Sequence, residues 1–185
     1  MNQLLLTCSG IEGEILTKRF AKMLNIPLCK AKVLWIPTAA IDEESVDYNA
    51  KCKNDLLTLG IEMKNITTYN FDEPLDINEL NLYDVVFVGG GDCQYLFEKM
   101  VSSRFYQFLE KYQGLYVGVS AGSCVVSYDF PQYMNFLKCR LDVHCQNCTQ
   151  YGRIDISKTD LISLTNAQAV VIDGKQIEVI NIGEI

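Results

Sequence analysis

The chain has 185 residues, 49% of them hydrophobic and 21% charged, which is enough apolar material for one domain with a sizeable core. Its formal net charge of −7 argues against a nucleic-acid backbone or an anionic membrane as partner, because both repel an acidic surface. No apolar run reaches the roughly 20 residues that a bilayer span needs, and Met1 to Leu6 lacks the basic region of a secretory signal. The expectation is a soluble cytoplasmic protein that acts on small molecules or peptides.

In chain order, Leu4 to Cys8 reads as a buried strand, and Glu12 to Leu24 carries Ile15, Leu16, Phe20 and Met23 at helical spacing. Ala31 to Pro37 repeats the strand signal, and Glu43 to Leu59 predicts a second helix that stops at Gly60. A third strand is expected around Met63 to Tyr69. Tyr83 to Val88 is a fourth, running into Gly89-Gly90-Gly91. Helical patterns at Cys93 to Met100 and Ser103 to Tyr112 precede a strand at Leu115 to Val119. Asp129 to Arg153 reads as irregular and polar, and Ala169 to Ile180 as a hairpin turning at Asp173-Gly174. Strands alternating with helices predict an α/β domain over residues 1–185, with a mainly parallel sheet covered on both faces and a C-terminal β-hairpin. Ligands bind beyond the carboxyl ends of such strands, where both Gly-rich turns fall.

One of those turns is Gly118-Val119-Ser120-Ala121-Gly122. Glycines on both sides let a strand bend sharply into a helix and hold the serine exposed, as in a nucleophile elbow. A serine hydroxyl needs a base to take its proton, and the chain has one histidine, His144. An acyl-transfer site also needs N–H donors for the developing oxyanion; the Gly89-Gly90-Gly91 turn and Ala121 can supply them. The triplet lacks both the GxGxxG spacing and a Walker lysine, so a phosphate cradle is not expected.

Eight cysteines are present, expected as reduced thiols in a cytosolic chain. Cys139, His144, Cys145 and Cys148 are spaced closely enough to resemble a zinc site. They include one C-x-x-C pair where structural zinc usually takes two, so no metal is expected.

Taken together, these residues resemble the peptidase E family of serine peptidases, the group of aspartyl dipeptidase and, more distantly, cyanophycinase. The resemblance is carried by Leu4-Leu5-Leu6, Val33 to Ala39, Gly89-Gly90-Gly91-Asp92 with Leu96, Gly118 to Gly122, His144, and Leu164-Thr165-Asn166-Ala167-Gln168-Ala169-Val170. It implies a flavodoxin-like fold similar to class I glutamine amidotransferase domains, with serine in place of their cysteine. It implies Ser120 as nucleophile, His144 as general base, Gly90 and Ala121 as oxyanion donors, no cofactor, and a short peptide substrate, with N-terminal aspartate as the group's preference. The family's third member is a carboxylate near the Gln-Ala-Val segment, a place held here by Asn166; Asp129, Asp142 and Asp160 are the alternatives. Asp142 would share a face with His144 if that segment is a strand. An aspartate substrate calls for an arginine fork, which Arg153, with Arg140 as rival, could supply. The departure at Asn166 keeps open a catalytically silent relative that binds a small ligand or partner in the same cleft.

Overall fold

The computed structural model describes residues 3–73, 75–130, 134–149 and 151–183. In chain order the elements are β1 (Gln3–Thr7), α1 (Gly13–Leu24), β2 (Val33–Ile36), α2 (Glu43–Thr58), β3 (Ile66–Thr68), α3 (Ile77–Leu80) and β4 (Val85–Val88). There follow α4 (Cys93–Ser102), α5 (Phe105–Lys111), β5 (Leu115–Val119), α6 (Ala121–Cys124), β6 (Arg140–Asp142), β7 (Gly152–Arg153), β8 (Leu161–Ser163), β9 (Gln168–Asp173) and β10 (Gln176–Asn181).

Among the described residues, eight strands form one sheet in the order β3-β2-β4-β5-β1-β9-β10-β7. Its first five strands are parallel, and β9, β10 and β7 extend it antiparallel. The mainly parallel sheet flanked by helices, with a β9–β10 hairpin, is the architecture expected from the strand and helix alternation; the hairpin turns at Gly174-Lys175, one residue later than expected, because Asp173 still pairs with Gln176.

Val33 to Ile36 and Val85 to Val88 are buried at every position, because helices cover both faces and neither face meets water. Alternate residues therefore feed two cores. Leu4, Leu6, Leu34, Ile36, Val86 and Val88 pack with Leu96 and Met100 of α4 and Phe105 and Leu109 of α5. Leu5, Val33, Trp35, Val85, Phe87 and Val117 pack with Leu16 and Phe20 of α1 and Cys52 and Leu56 of α2. Ile15, counted in the apolar spacing of α1, is 53% exposed; the buried stripe is Leu16, Phe20 and Met23.

The stretch expected to be irregular contains more order than its polarity suggested. Arg140–Asp142 pairs in parallel with Leu161–Ser163, giving a separate two-stranded sheet. Residues 131–133 and 150 of that stretch lie outside the described residues. Strands of three residues are too short for a period-2 pattern to show.

Burial also sets a pH limit on this fold. It pushes the Cys8 thiol up to about 11 and the Cys52 and Cys139 thiols up to about 12, from an ordinary 9.0. Between those values the unfolded chain loses thiol protons that the folded chain keeps, so stability falls as pH rises. The urea midpoint should therefore drop between pH 9.0 and about 11, with a shallower slope in Cys52→Ala.

Candidate active site

The carboxyl ends of three neighbouring strands, β4, β5 and β1, carry the Gly89-Gly90-Gly91 turn, Ser120 and Cys8. At Ser120 the chain turns from β5 into α6 with φ 49° and ψ −107°, a conformation that costs a non-glycine residue about 1–3 kcal/mol. Surrounding contacts impose it. A Cβ at Gly118 would lie 2.5 Å from the Gly122 carbonyl oxygen, and one at Gly122 would lie 2.2 Å from that of Val88. Helix α6 thus folds back onto β5 and β4 at a separation only glycine permits.

Ser123 ties this bend to the end of β1. Its hydroxyl lies 2.8 Å from the Thr7 carbonyl and 2.7 Å from the Gly118 carbonyl, and it accepts the Thr7 N–H at 3.0 Å. The Ser120 N–H donates to the same Thr7 carbonyl at 2.9 Å, and the Tyr116 hydroxyl donates to the Gly122 carbonyl at 2.7 Å.

The imidazole comes from the small sheet. His144 stands two residues beyond β6, with φ 57°, and Asn166 three residues beyond β8. Because β6 and β8 are parallel, the segments leaving them emerge at the same end. Cys8 joins both: its sulfur accepts the His144 N–H at 3.4 Å and faces the Leu164 and Thr165 carbonyls at 3.6 and 3.3 Å. Burial keeps that thiol protonated at neutral pH, so it can donate to those carbonyls.

His144 Nε2 lies 3.0 Å from Ser120 Oγ, and His144 Nδ1 lies 2.8 Å from Asn166 Oδ1. A carbonyl oxygen can only accept, so Nδ1 bears the proton and the Nε2 lone pair faces the serine hydroxyl. Both ring nitrogens are thereby engaged within the site.

Of the other candidate third members, Asp129 accepts from Arg140 Nε at 2.9 Å. Asp142 ends β6, and the positive φ at His144 interrupts the alternation that would have put the two on one face. Asp160 precedes β8, where its carbonyl accepts the Arg140 N–H at 3.0 Å.

The N–H groups of Gly90, Gly91 and Ala121 find no acceptor among the described residues. Gly90 sits against the serine, where an added Cβ would be 3.2 Å from Ser120 Cβ. A cleft of about 630 Å³ opens over Ser120 and His144, lined by Cys8, Gly90, Gly91, Tyr48, Lys51 and the carboxylates Asp42, Glu44 and Asp47. Arg153 does not line it. It is exposed on β7, opposite Glu178 of β10, and borders a separate hollow with Tyr151 and Lys158. Arg140 is held by Asp129. The cation that does line the cleft, Lys51, is paired with Glu12.

Cys8, Ser123 and Asn49, the last described below, are site-building residues that the sequence pattern did not single out. A signal existed for Asn49, a polar side chain on the buried stripe it shares with Cys52 and Leu56.

A strained serine backed by an imidazole and an amide oxygen, at the carboxyl edge of a parallel sheet, is the arrangement by which acyl-transferring hydrolases activate a hydroxyl. The comparisons with known proteins point to a peptidase. The model of Peptidase family S51 matches residues 4–136, so the chain belongs to this family of peptidases. The matched span contains the Gly-rich turn and Ser120; His144 and Asn166 lie beyond it. A Listeria monocytogenes EGD-e protein described provisionally as a peptidase E superposes with a TM-score of 0.77 at 20% identity, covering 99% of this chain and 100% of its own. A peptidase from an acI-B1 Actinobacterium superposes with a TM-score of 0.66 at 18% identity, covering 98% of this chain and 88% of its own. At such identities these two establish the shared fold. No curated protein matches the chain.

The dependence of the bend on Ser123 is testable. Ser123→Ala leaves the buried Thr7 N–H without this acceptor, a loss of about 1–3 kcal/mol. It should lower the urea midpoint without changing the slope of the transition.

Proposed function

We propose that this protein is a serine peptidase that cleaves short peptides through an acyl-enzyme on Ser120, with His144 as general base, Asn166 orienting the imidazole, and Gly90 and Ala121 as oxyanion donors. The observation that carries this reading is the pair of contacts on one imidazole, 3.0 Å to Ser120 Oγ and 2.8 Å to Asn166 Oδ1.

In the first half-reaction Ser120 Oγ attacks the scissile carbonyl carbon while Nε2 takes the hydroxyl proton. The carbonyl oxygen becomes the oxyanion and draws on the free N–H groups. Collapse of the tetrahedral intermediate breaks the C–N bond, and the imidazolium returns its proton to the leaving amine. In the second half water repeats the sequence, with the ester to Ser120 as the bond that breaks. Asn166 holds the tautomer this needs, but as a neutral amide it stabilises the imidazolium less than a carboxylate would.

The charges in the cleft bear on the substrate. An N-terminal aspartate would meet Asp42, Glu44 and Asp47 around a lysine already paired with Glu12. Short peptides with an uncharged or basic first residue suit that lining better. The group's aspartate preference rested on an arginine, and Arg153 stands at another hollow.

Ser120→Ala should abolish peptide hydrolysis and fluorophosphonate labelling while leaving the thermal midpoint near wild type; residual turnover at the wild-type rate overturns the assignment. Asn166→Ala should slow acylation by at least about tenfold, and Asn166→Asp should raise it by about tenfold because a carboxylate stabilises the imidazolium. In a panel of dipeptides, kcat/KM for Ala-X and Lys-X should exceed that for Asp-X. The opposite order would restore the aspartate preference.

A further inference from the structure

Helix α2 buries Asn49, Cys52 and Leu56 along one stripe. An amide on an apolar stripe is costly unless its hydrogen bonds are made, and a leucine would fill the same space without that cost. Helix packing alone does not account for Asn49. Its surroundings do: the side chain is 3% exposed, and Nδ2 donates to the Ser45 carbonyl one turn back at 2.8 Å and to the Gly90 carbonyl at 2.9 Å. Among the described residues its Oδ1 accepts no hydrogen bond, and it is seated against Gly89, where a Cβ would fall 1.7 Å away. The amide and the first glycine of the turn fit only each other.

We infer that Asn49 is a positioning residue for the Gly89-Gly90-Gly91 turn that carries the oxyanion donor Gly90, an inference that rests on the serine-peptidase reading. A peptide unit is planar and trans, so holding the Gly90 carbonyl on the α2 side points the Gly91 N–H the opposite way. The Gly89 N–H on the Ile36 carbonyl at 2.9 Å anchors the chain before Gly90, so that the donor N–H lies between two fixed points. The far end of the turn is anchored by the Asp92 N–H on the Ala39 carbonyl at 2.7 Å. Gly91 is confined there too, with φ 134° and no room for a Cβ beside Ala39.

Three successive glycines would otherwise sample many conformations, and a donor lowers a barrier only if it is aimed before the charge develops. Asn49 supplies the restraint through a carbonyl. It leaves the Gly90 and Gly91 N–H groups unspent in a turn that lines the Ser120 cleft.

A fluorophosphonate tests this, because its phosphoryl oxygen takes the place of the carbonyl oxygen during attack by Ser120. Asn49→Asp keeps the size and removes the donor; Asn49→Leu removes the donor and suits the apolar stripe. In both, the limiting rate of phosphonylation should fall about tenfold to a hundredfold, short of or level with the loss of an oxyanion donor itself. The half-saturating probe concentration should stay within about twofold. Rates are taken on the fraction that reacts, so partial misfolding lowers the amplitude and not the rate.

Wild-type rates in the two variants overturn the inference and leave the peptidase reading standing. A parallel rise in the half-saturating concentration that accounts for the whole loss also overturns it. A wild-type protein that takes no label at Ser120 overturns the peptidase reading and this inference with it.

Discussion

The site depends on how closely three stretches of backbone approach one another at the carboxyl ends of β4 and β5. The Gly122 carbonyl lies over Gly118, and the Val88 carbonyl lies over Gly122; any side chain at either glycine would push α6 off the sheet. Held down in this way, α6 cannot begin until the chain has turned through Ser120 at positive φ, and the strain of that turn is borne by Ser123, Thr7 and Tyr116. The half-buried hydroxyl, open to the cleft, is thus a result of packing between backbones.

The imidazole arrives by another route. His144 and Asn166 follow strands of the small parallel sheet, and Cys8, at the end of β1, bonds to the first and faces carbonyls just before the second. A neutral buried thiol suits this post because it accepts and donates at long range without introducing a charge beside the imidazole. β1 therefore serves both halves: Thr7 fixes the serine bend, and the next residue fixes the histidine.

Much of this was legible in the sequence, and the parts that were not share a cause. The central strands showed because four or five consecutive apolar residues between helical segments have few other readings. Gly118 and Gly122 marked the bend, and the single histidine is the ring that lies beside Ser120. Arg153 was placed by chain order after His144, yet the chain between them leaves the cleft and joins β10 at the far edge of the sheet. Pairing of three-residue strands such as β6 and β8 is decided by tertiary contacts, so the unit that delivers His144 and Asn166 left no local pattern. Asn49, by contrast, was visible as an amide on an apolar stripe, although its partner 41 residues away was not.

The neutral amide behind His144 changes the charge balance of the proposed reaction. With a carboxylate in that place, proton uptake by the ring would complete an ion pair already half present. With Asn166, the imidazolium and the oxyanion are created together from a neutral site, and each becomes the other's nearest counter-charge. Asp42, Glu44 and Asp47 line the same cleft as His144, at its rim and across solvent, where salt screens their charge. In the proposed reaction the negative side of that charge separation meets directed N–H groups, and the positive side meets only the oxygen of a neutral amide.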